Sequence, residues 1–502
     1  MGHMSSAPVH DVADRCADVA DLPEIRETHT GLVALVGDRA YKVKKPIATD
    51  FLDFRTVQHR EEVCLREIEL NSRLAAEAYL GIAHFTGPCS RDGVPEPVIV
   101  MRRYSDSSRL ASMVRRGEPV DAHLSALAER IARFHADAVR GDDVDACGKA
   151  SAIRARWRDN LTELRHYVGT LLTPESVAEV DRLAMRFIDG RDALFEDRIV
   201  SRRIVDGHGD LIAEDVFCLP DGPVALDCLE FDDRLRYLDG LDDAAFLTMD
   251  LEFLGAGALG DFFMNRYREV ADDPAPKSLA HFYIAYRAVV RAKVDCIRVS
   301  QGVDGASADA VRHLELAARH LRIGTVRLVL VGGGPGTGKT TLARALAERL
   351  GARVISTDDV RREMWAAGQL DGVTGVYGSG LYSQSKVDAV YAEMLRRADQ
   401  FLTSGQSVIL DGTWRESRHR LAARELASKD HCPVVELACT VPLGEARGRI
   451  EHRRGGNSDA TPDIASTMAL GDEGWAGAHR MDTRRPLEAT VAEADEFCCV
   501  TA

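Results

Sequence analysis

Residues 333–340 form the most specific chemical pattern in this sequence, a glycine-rich run that ends in lysine and threonine. The run fits a phosphate-loop spacing, in which one glycine, four other residues and a second glycine precede lysine and a hydroxyl residue. Such a loop turns successive backbone amides toward an anion, and the helix that follows adds the positive end of its dipole. The predicted nucleotide-binding residues of the loop are Gly333, Gly334, Pro335, Gly336, Thr337, Gly338, Lys339, Thr340 and Thr341.

The segments on either side of this loop supply the context that it needs. A mainly apolar run at 326–331 predicts a buried strand before the loop, and residues 342–350 predict a helix after it. In that context the ammonium of Lys339 reaches the β- and γ-phosphates of ATP as a catalytic group, and the hydroxyl of Thr340 ligates Mg²⁺. The loop therefore predicts ATP and Mg²⁺ as cofactors.

Two aspartates follow the next strands of the same predicted sheet. Asp358 comes after the strand 354–356, with Arg361 one helical turn later, and Asp411 follows the strand 407–410. Ligands of open α/β sheets lie beyond the carboxyl ends of the strands. Asp358 is therefore predicted to take the proton of an attacking hydroxyl, with Arg361 beside it, and Asp411 to hold the Mg²⁺ shell. The structural alternatives are a helix cap for Asp358 and an Asp-Gly turn at Asp411.

An arginine-rich run at 445–454 follows another predicted strand, 434–439. Arginines on a flexible helical arm can close over transferring phosphates and neutralise the charge that develops there. On this hypothesis Arg447 and Arg453 bind the nucleotide. A solvated helix face is the alternative, because charge runs are usually solvated.

The first half of the chain holds a second pair of aspartates with the spacing of a phosphate site. Asp210 lies in the tetrapeptide 208–211, and Asp227 ends the tetrapeptide 224–227. Each adjoins a short apolar stretch, which suits a catalytic base and a Mg²⁺ ligand at one site. Turn contacts of a loop aspartate are the alternative for either residue.

The elements around these residues predict two domains. A hairpin at 30–45, a helix at 58–78 and a strand at 97–101 precede mostly helical segments that continue to about residue 321. Strands then alternate with helices, which is typical of a parallel α/β sheet. The predicted domains are residues 5–323 and residues 324–502.

With the motifs in this order, residues 326–465 resemble the P-loop kinase family that includes the kinase domain of polynucleotide kinase, zeta toxins and chloramphenicol phosphotransferase. The phosphate loop, the Asp358–Arg361 pair, Asp411 and the arginine run all match in order. The resemblance implies an α/β domain with a parallel sheet that phosphorylates a hydroxyl. Members of the family act on very different substrates, so it implies the reaction type and not the acceptor.

Residues 24–320 resemble the aminoglycoside phosphotransferase family, whose α+β fold is protein-kinase-like and two-lobed. The resemblance implies that Lys42 pairs the α- and β-phosphates, with Lys44 as its rival, and that Glu67 is its helix partner. The rival glutamates are Glu61, Glu62 and Glu69. It also implies that residues 101–104 form the adenine hinge.

The same resemblance implies that Asp210 is the catalytic base and Asp227 a metal ligand. Asp215 stands where the family has a metal-binding asparagine, and we expect it to ligate Mg²⁺, because either side chain offers an oxygen. The family's glycine-rich loop before the strand lysine has a single counterpart here, Gly31.

Composition and charge exclude several classes of protein. The chain is 45% hydrophobic and 28% charged, as in an ordinary globular protein, and no apolar run approaches the roughly 18 residues that span a bilayer. The net charge of −15, nearly all of it before residue 322, argues against a non-specific nucleic-acid binder. Eleven cysteines without a Cys-x-x-Cys pair predict a reducing, cytoplasmic setting.

These observations lead to one hypothesis and two alternatives. The hypothesis is an ATP-dependent phosphotransferase with two nucleotide sites and a hydroxyl-bearing small-molecule acceptor, without nucleic acid or membrane as a partner. The first alternative is a nucleotide sensor whose degenerate first domain regulates the second. The second alternative is a nucleic-acid end kinase, against which the lack of a basic stripe argues. The sequence names neither the acceptor nor an oligomeric state.

Overall fold

A computed structural model describes residues 23–27, 31–47, 53–86, 94–372, 380–452, 461–470 and 474–500. By mutual contacts the chain divides into two compact units. One unit consists of residues 1–137 and 207–236, and the other of residues 138–206 and 237–502. This division follows packing and not chain order, and the boundary between residues 323 and 324 stays a prediction.

The described part of the chain holds both strands and helices. The strands are β1 Glu24–Glu27, β2 Gly31–Val36, β3 Arg39–Lys44, β4 Tyr79–Phe85, β5 Glu96–Arg102, β6 Ile204–Asp206, β7 Val216–Leu219, β8 Gly222–Ala225, β9 Tyr237–Asp239, β10 Leu328–Gly332, β11 Arg353–Ser356, β12 Val408–Asp411, β13 Val434–Thr440 and β14 His479–Asp482. The helices are α1 Val57–Ala75, α2 Leu110–Arg115, α3 Asp121–Asp137, α4 Asp142–Cys147, α5 Ala150–Arg165, α6 Pro174–Asp189, α7 Asp192–Val200, α8 Gly240–Phe253, α9 Gly257–Val270, α10 Lys277–Ser300, α11 Ala306–Ile323, α12 Lys339–Leu350, α13 Thr357–Ala366, α14 Gln384–Thr403, α15 Ser417–Lys429, α16 Leu443–Glu451, α17 Pro462–Leu470 and α18 Leu487–Val500. None of these described helices combines the length and the apolar character that crossing a membrane requires.

The first unit contains a five-stranded sheet in the order β1-β2-β3-β5-β4, with every neighbouring pair antiparallel. The predicted hairpin is confirmed, since β2 and β3 pair around Gly37, whose φ of 57° is one that glycine adopts without strain. Helix α1 begins after Thr56, whose side chain accepts a hydrogen bond from the amide of His59. Cys64 of α1 and Ile99 of β5 belong to one buried cluster, which fixes the helix against the sheet.

Helices α4–α11 of the second unit have an aromatic core of their own. Trp157 is fully buried, and its ring centre lies 5.4 Å from those of Phe282 and Tyr286. Phe187 stacks on Phe282 at 4.4 Å. Close aromatic pairs of this kind stabilise a core beyond the area that they bury.

The second unit also contains a five-stranded sheet in the order β11-β12-β10-β13-β14, with every neighbouring pair parallel. Its central strand β10 is buried at every residue, as the continuous apolar run predicted for a strand that is covered on both faces. The predicted parallel sheet is therefore confirmed. Strand β14 was missed, because it is short and polar and only Met481 in it is buried.

Within the second unit, the helical part and the sheet part meet tightly at Gly190 and Arg191. Arg191 is 1% exposed and donates hydrogen bonds to the carbonyl oxygens of Gly190, at 2.6 Å, and Asp430, at 2.9 Å. These residues end helices α6 and α15, whose partial negative charge balances the guanidinium. A Cβ atom on Gly190 would overlap the carbonyl of Asp430.

This contact makes Gly190→Ala a test of the packing. We expect the added methyl group to cost about 1–3 kcal/mol, because it meets backbone that cannot rotate away. Thermal unfolding of the full chain, followed by circular dichroism, should show a lower midpoint. Gly444→Ala is the control, since a Cβ there meets nothing within 4 Å. Equal midpoints for the two variants would show that the contact tolerates a side chain.

Candidate functional site

The phosphate loop connects the buried strand β10 to helix α12. Gly333, Gly336 and Gly338 have φ angles of 144°, 78° and 81°, which side chains other than glycine rarely allow. A Cβ atom on Gly333 would lie 2.6 Å from Oγ1 of Thr337, and one on Gly336 would overlap the carbonyl of Ala446. The shape of the loop and the close approach of its neighbours therefore both require glycine.

The side chains beyond the loop meet at the carboxyl ends of β10 and β12. The hydroxyl of Thr340 donates a hydrogen bond to Oδ2 of Asp411 at 2.7 Å. Asp411 is 1% exposed, and its buried Oδ1 has no hydrogen-bond partner within the described ranges. Burial raises the pKa of this carboxyl by more than the ammonium of Lys339 and the hydroxyl of Thr340 lower it. A buried carboxylate oxygen without a partner, beside a hydroxyl, fits Mg²⁺, which prefers oxygen ligands.

Asp358 and Arg361 lie one turn apart near the start of α13. Arg361 donates a hydrogen bond to Oδ1 of Asp358 at 2.8 Å, and its guanidinium lies 4.5 Å from the centre of the Tyr382 ring. The amide of Asp358 donates to Oγ of Ser356, so Ser356 is the N-cap and the helix-cap alternative for Asp358 is wrong. Asp358 and Lys339 line one cavity of about 540 Å³.

Another wall of this cavity comes from α16 and from the residues after β14. Arg449 donates hydrogen bonds to Oγ1 and to the backbone oxygen of Thr483, at 3.1 and 3.0 Å. The hydroxyl of Thr483 donates to the backbone oxygen of Thr337 in the loop, at 2.7 Å. Arg447 is exposed and does not line the cavity, and Arg453 lies outside the described residues.

Sequence reasoning missed Arg449 and Thr483. The arginine run contained a signal for Arg449, two positions after Arg447, but the side of α16 that meets the loop depends on packing. Nothing in the local sequence distinguished Thr483, which follows the unpredicted strand β14.

In the first unit, a network of ion pairs joins β3, α1 and the segment after β8. Nζ of Lys42 lies 2.8 Å from Oε1 of Glu67 and 2.6 Å from Oδ1 of Asp227. Nζ of Lys44 lies 2.6 Å from the other carboxylate oxygen of Glu67 and also pairs with Glu230. Partial desolvation of Asp227, whose side chain stays 47% exposed, raises the pKa of its carboxyl, but the ammonium groups of Lys42 and Lys44 outweigh this and hold that pKa below its ordinary value.

The geometry separates the rival residues of this network. Both lysines contact Glu67, but only Lys42 also contacts Asp227. Lys42 is therefore the lysine that connects helix α1 to the segment after β8 that carries Asp227. Glu67 is fully buried. The rival glutamates pair elsewhere, Glu61 with His84, Glu62 with His59 and Glu69 with Arg66.

The predicted aspartates of the first unit lie in one loop region. His208 is fully buried, and its ring contacts the carbonyl of Leu226 at 3.0 Å and accepts from the amide of Asp210 at 3.3 Å. Burial and the charges of Asp227 and Asp210 raise the pKa of Asp215 well above its ordinary value. The three acidic side chains are therefore close enough to affect one another's charge, although their oxygens do not all lie within 4.8 Å of one another.

Comparison with known proteins gives matches to both parts of the chain. Residues 328–469 match the family described as an AAA domain. A choline/ethanolamine kinase family protein from Mesorhizobium loti is 15% identical and covers 60% of this chain and 91% of its own, with a TM-score of 0.39. The Mycobacterium tuberculosis APS kinase CysC, solved with AMPPNP and APS, is 17% identical and covers 34% of this chain and 97% of its own, with a TM-score of 0.27.

Mycobacterial relatives match nearly the whole chain. Among them are Rv2004c of Mycobacterium tuberculosis (strain H37Rv) and Mb2027c of Mycobacterium bovis, both described as uncharacterized. Each is 53% identical over 490 residues, which cover 97% of this chain and 98% of the relative.

The predicted fold class is confirmed. The antiparallel sheet with its strand lysine, the helix with Glu67 and the aspartate loop follow one another as in a protein-kinase-like α+β fold. The parallel sheet with its phosphate loop is that of an α/β P-loop kinase domain. This chain belongs to the same family as the two mycobacterial proteins, and it joins a region with a kinase-like fold to a P-loop domain that matches the AAA domain family over residues 328–469.

Proposed function

We propose that this protein is an ATP-dependent phosphotransferase whose P-loop domain moves the γ-phosphate of ATP to the hydroxyl of a small-molecule acceptor. The observation that supports this most is the cavity shared by Lys339, Thr340 and Asp358, with the buried oxygen of Asp411 beside Thr340. Transfer of a phosphoryl group to a hydroxyl needs a cation at the phosphates, oxygen ligands for a metal and a base. The cavity offers all three kinds of group.

In the proposed reaction, the loop amides and Lys339 bind the phosphates of ATP. Thr340 and Asp411 would hold Mg²⁺, which neutralises part of the phosphate charge when it is bound. Asp358 takes the proton of the acceptor hydroxyl while the oxygen of that hydroxyl bonds to the γ-phosphorus. The bond between the γ-phosphorus and the bridging oxygen breaks, and ADP is released. Arg361 holds the Asp358 carboxylate in position through their 2.8 Å hydrogen bond.

The proposed nucleotide contacts extend to the arginines beside the loop. Arg449 already contacts the loop through Thr483, and Arg447 and Arg453 belong to the same arginine run. Guanidinium groups at this place neutralise charge on the transferring phosphate. The proposed compartment is the cytoplasm, which fits the free thiols of all the described cysteines.

We infer a second nucleotide site in the first unit. The ion pair of Lys42 with Glu67 supports a role for Lys42 as the strand lysine that pairs the α- and β-phosphates in kinase-like folds. Asp215 and Asp227 would hold Mg²⁺ there, and Asp210 takes the proton of the acceptor. The complete set of charged groups supports catalysis at this site over nucleotide sensing alone.

The base assignment predicts the outcome of Asp358→Asn. We expect phosphoryl transfer to fall by roughly 10²–10⁴-fold, because an amide cannot take the proton, while ATP still binds. Lys339→Ala should weaken both phosphoryl transfer and ATP binding. ADP release is measured with the full chain on an Asp210→Asn background, against sugars, aminoglycosides and nucleotides, and ATP binding by calorimetry. Asp495→Asn on α18, paired with Arg349, is the control. Wild-type transfer by Asp358→Asn would make the assignment wrong.

The metal role of Asp215 predicts a difference between two substitutions. On a Lys339→Ala background, Asp215→Ala should abolish ADP release by the first site, because it removes an oxygen ligand. Asp215→Asn should retain activity, because an amide oxygen also ligates Mg²⁺. Equal rates for the Lys339→Ala parent and its Asp215→Ala derivative would show that Asp227 holds the metal without Asp215.

The buried network predicts a local loss of stability in Glu67→Gln. Removing the shared carboxylate leaves two ammoniums with one partner each, and breaking such a buried pair costs about 3 kcal/mol. Hydrogen exchange of the β3 and α1 amides should become faster. Glu69→Gln on the same helix is the control, because Glu69 is exposed and its pair with Arg66 contributes little. Unchanged exchange in Glu67→Gln would show that the network does not hold the helix.

A further inference from the structure

A second cavity of about 300 Å³ borders the phosphate loop, and the reaction steps above do not use it. Its walls are the loop residues Gly333 and Gly334, the turn Thr413–Arg415 after β12, the segment after β13, and Trp475. The turn with Thr413 lies beside the start of α13, which carries Asp358, since Gly412 packs against the side chain of Thr357. The cavity therefore adjoins the phosphate loop, and one of its walls lies next to the start of α13, where Asp358 lines the neighbouring cavity of about 540 Å³.

The charged groups of this cavity are all positive. Arg415, Arg420 and Arg480 line it, and none of its described lining residues is acidic. Arg420 is 8% exposed, and its guanidinium donates to the backbone oxygens of Trp414 and Arg415, both at 2.6 Å. Within the described ranges no carboxylate lies within 4.0 Å of Arg420 or Arg480. A buried cation without a countercharge is costly, and an anion in the cavity would supply that charge.

Two tryptophans with fixed side chains belong to the remaining walls, which also contain Thr337, Thr413 and Thr440. Trp414 is fully buried with a φ of 50°, and its indole donates to the backbone oxygen of Leu410 at 3.1 Å. The indole of Trp475 donates to Glu436 at 2.8 Å, and its ring packs so closely on Gly332 that a Cβ there would overlap it. Preformed apolar walls with a few placed polar groups are typical of small-ligand sites.

We propose that this cavity binds the phosphoryl acceptor, and that the acceptor carries an anionic group, a phosphate, sulfate or carboxylate, in addition to its hydroxyl. This proposal rests on the proposed phosphotransferase function and adds the chemical class of its substrate. Arg420 and Arg480 hold the anion, Trp475 covers the carbon skeleton, and the hydroxyl faces the γ-phosphate between the loop and Asp358. The transfer step is the one written above, with the proton passing to Asp358 and ADP leaving.

The anion site is tested by calorimetric titration of the full chain with inorganic sulfate, with ADP and Mg²⁺ saturating both nucleotide sites. We expect saturable binding that weakens roughly tenfold in Arg480→Gln, the size of one lost charge-assisted hydrogen bond. Arg480 is exposed, so this variant does not depend on refolding of the core. Arg418→Gln is the matched control, because Arg418 is an exposed arginine of α15 that pairs with Asp388.

The outcomes separate this proposal from the function on which it rests. No saturable sulfate binding, or equal affinity in wild type and Arg480→Gln, overturns the anion site even if the protein transfers phosphate. Sulfate binding that only Arg480→Gln weakens supports the anion site, even if the Asp358→Asn result overturns the assignment of the base. The same comparison can be made with pairs of acceptors such as glycerol 3-phosphate and glycerol. We expect Arg480→Gln to raise the KM for the phosphorylated acceptor of such a pair.

Discussion

The complete burial of strand β10 between parallel neighbours is the constraint on which the phosphate-loop region depends. A strand covered on both faces must be apolar along its length, so polar groups begin only where the strand ends. Because β11, β12, β13 and β14 run parallel to it, their carboxyl ends lie along the same edge of the sheet. The loop, Asp411 at the end of β12, Asp358 at the start of α13, and Thr483 meet there as a consequence.

The two proposed nucleotide sites use different groups to balance the negative charge of the phosphates. The P-loop site relies on backbone amides, so its shape depends on three glycines with φ values from 78° to 144°. The site of the first unit relies on side-chain charges, and its shape depends on Glu67, which joins two lysines. Substitutions therefore damage the first kind of site through backbone strain and the second through unpaired buried charge.

The second cavity beside the loop follows from the same sheet edge. The turns after β12 and β13 must leave the sheet beside the loop, and the left-handed Trp414 directs one of them so that Arg415 and Arg420 face inward. The left-handed conformation is costly for tryptophan and is stabilised here by the hydrogen bonds of its indole and its amide. Strain of this kind is found where surrounding structure holds a functional geometry.

Much of this protein was readable from local sequence. The glycine pattern at 333–340 predicted a phosphate loop, and the periodicity of apolar residues predicted the hairpin, helix α1 and the parallel strands. These features were predictable because each depends on a few neighbouring residues. The spacing of the aspartates also placed Asp358 and Asp411 at one edge, since topology alone brings parallel strand ends together.

Only the tertiary structure decided which members of each charged set meet. Glu67 and not Glu69 contacts Lys42, and Arg449 and not Arg447 meets the loop, because orientation across a contact depends on packing between elements distant in sequence. The tertiary structure also showed that Arg420 is buried beside backbone carbonyls and without a carboxylate partner among the described residues. Its partners are the carbonyls of a turn whose shape no local pattern predicted, so the sequence determined the chemistry available and the packing determined where it acts.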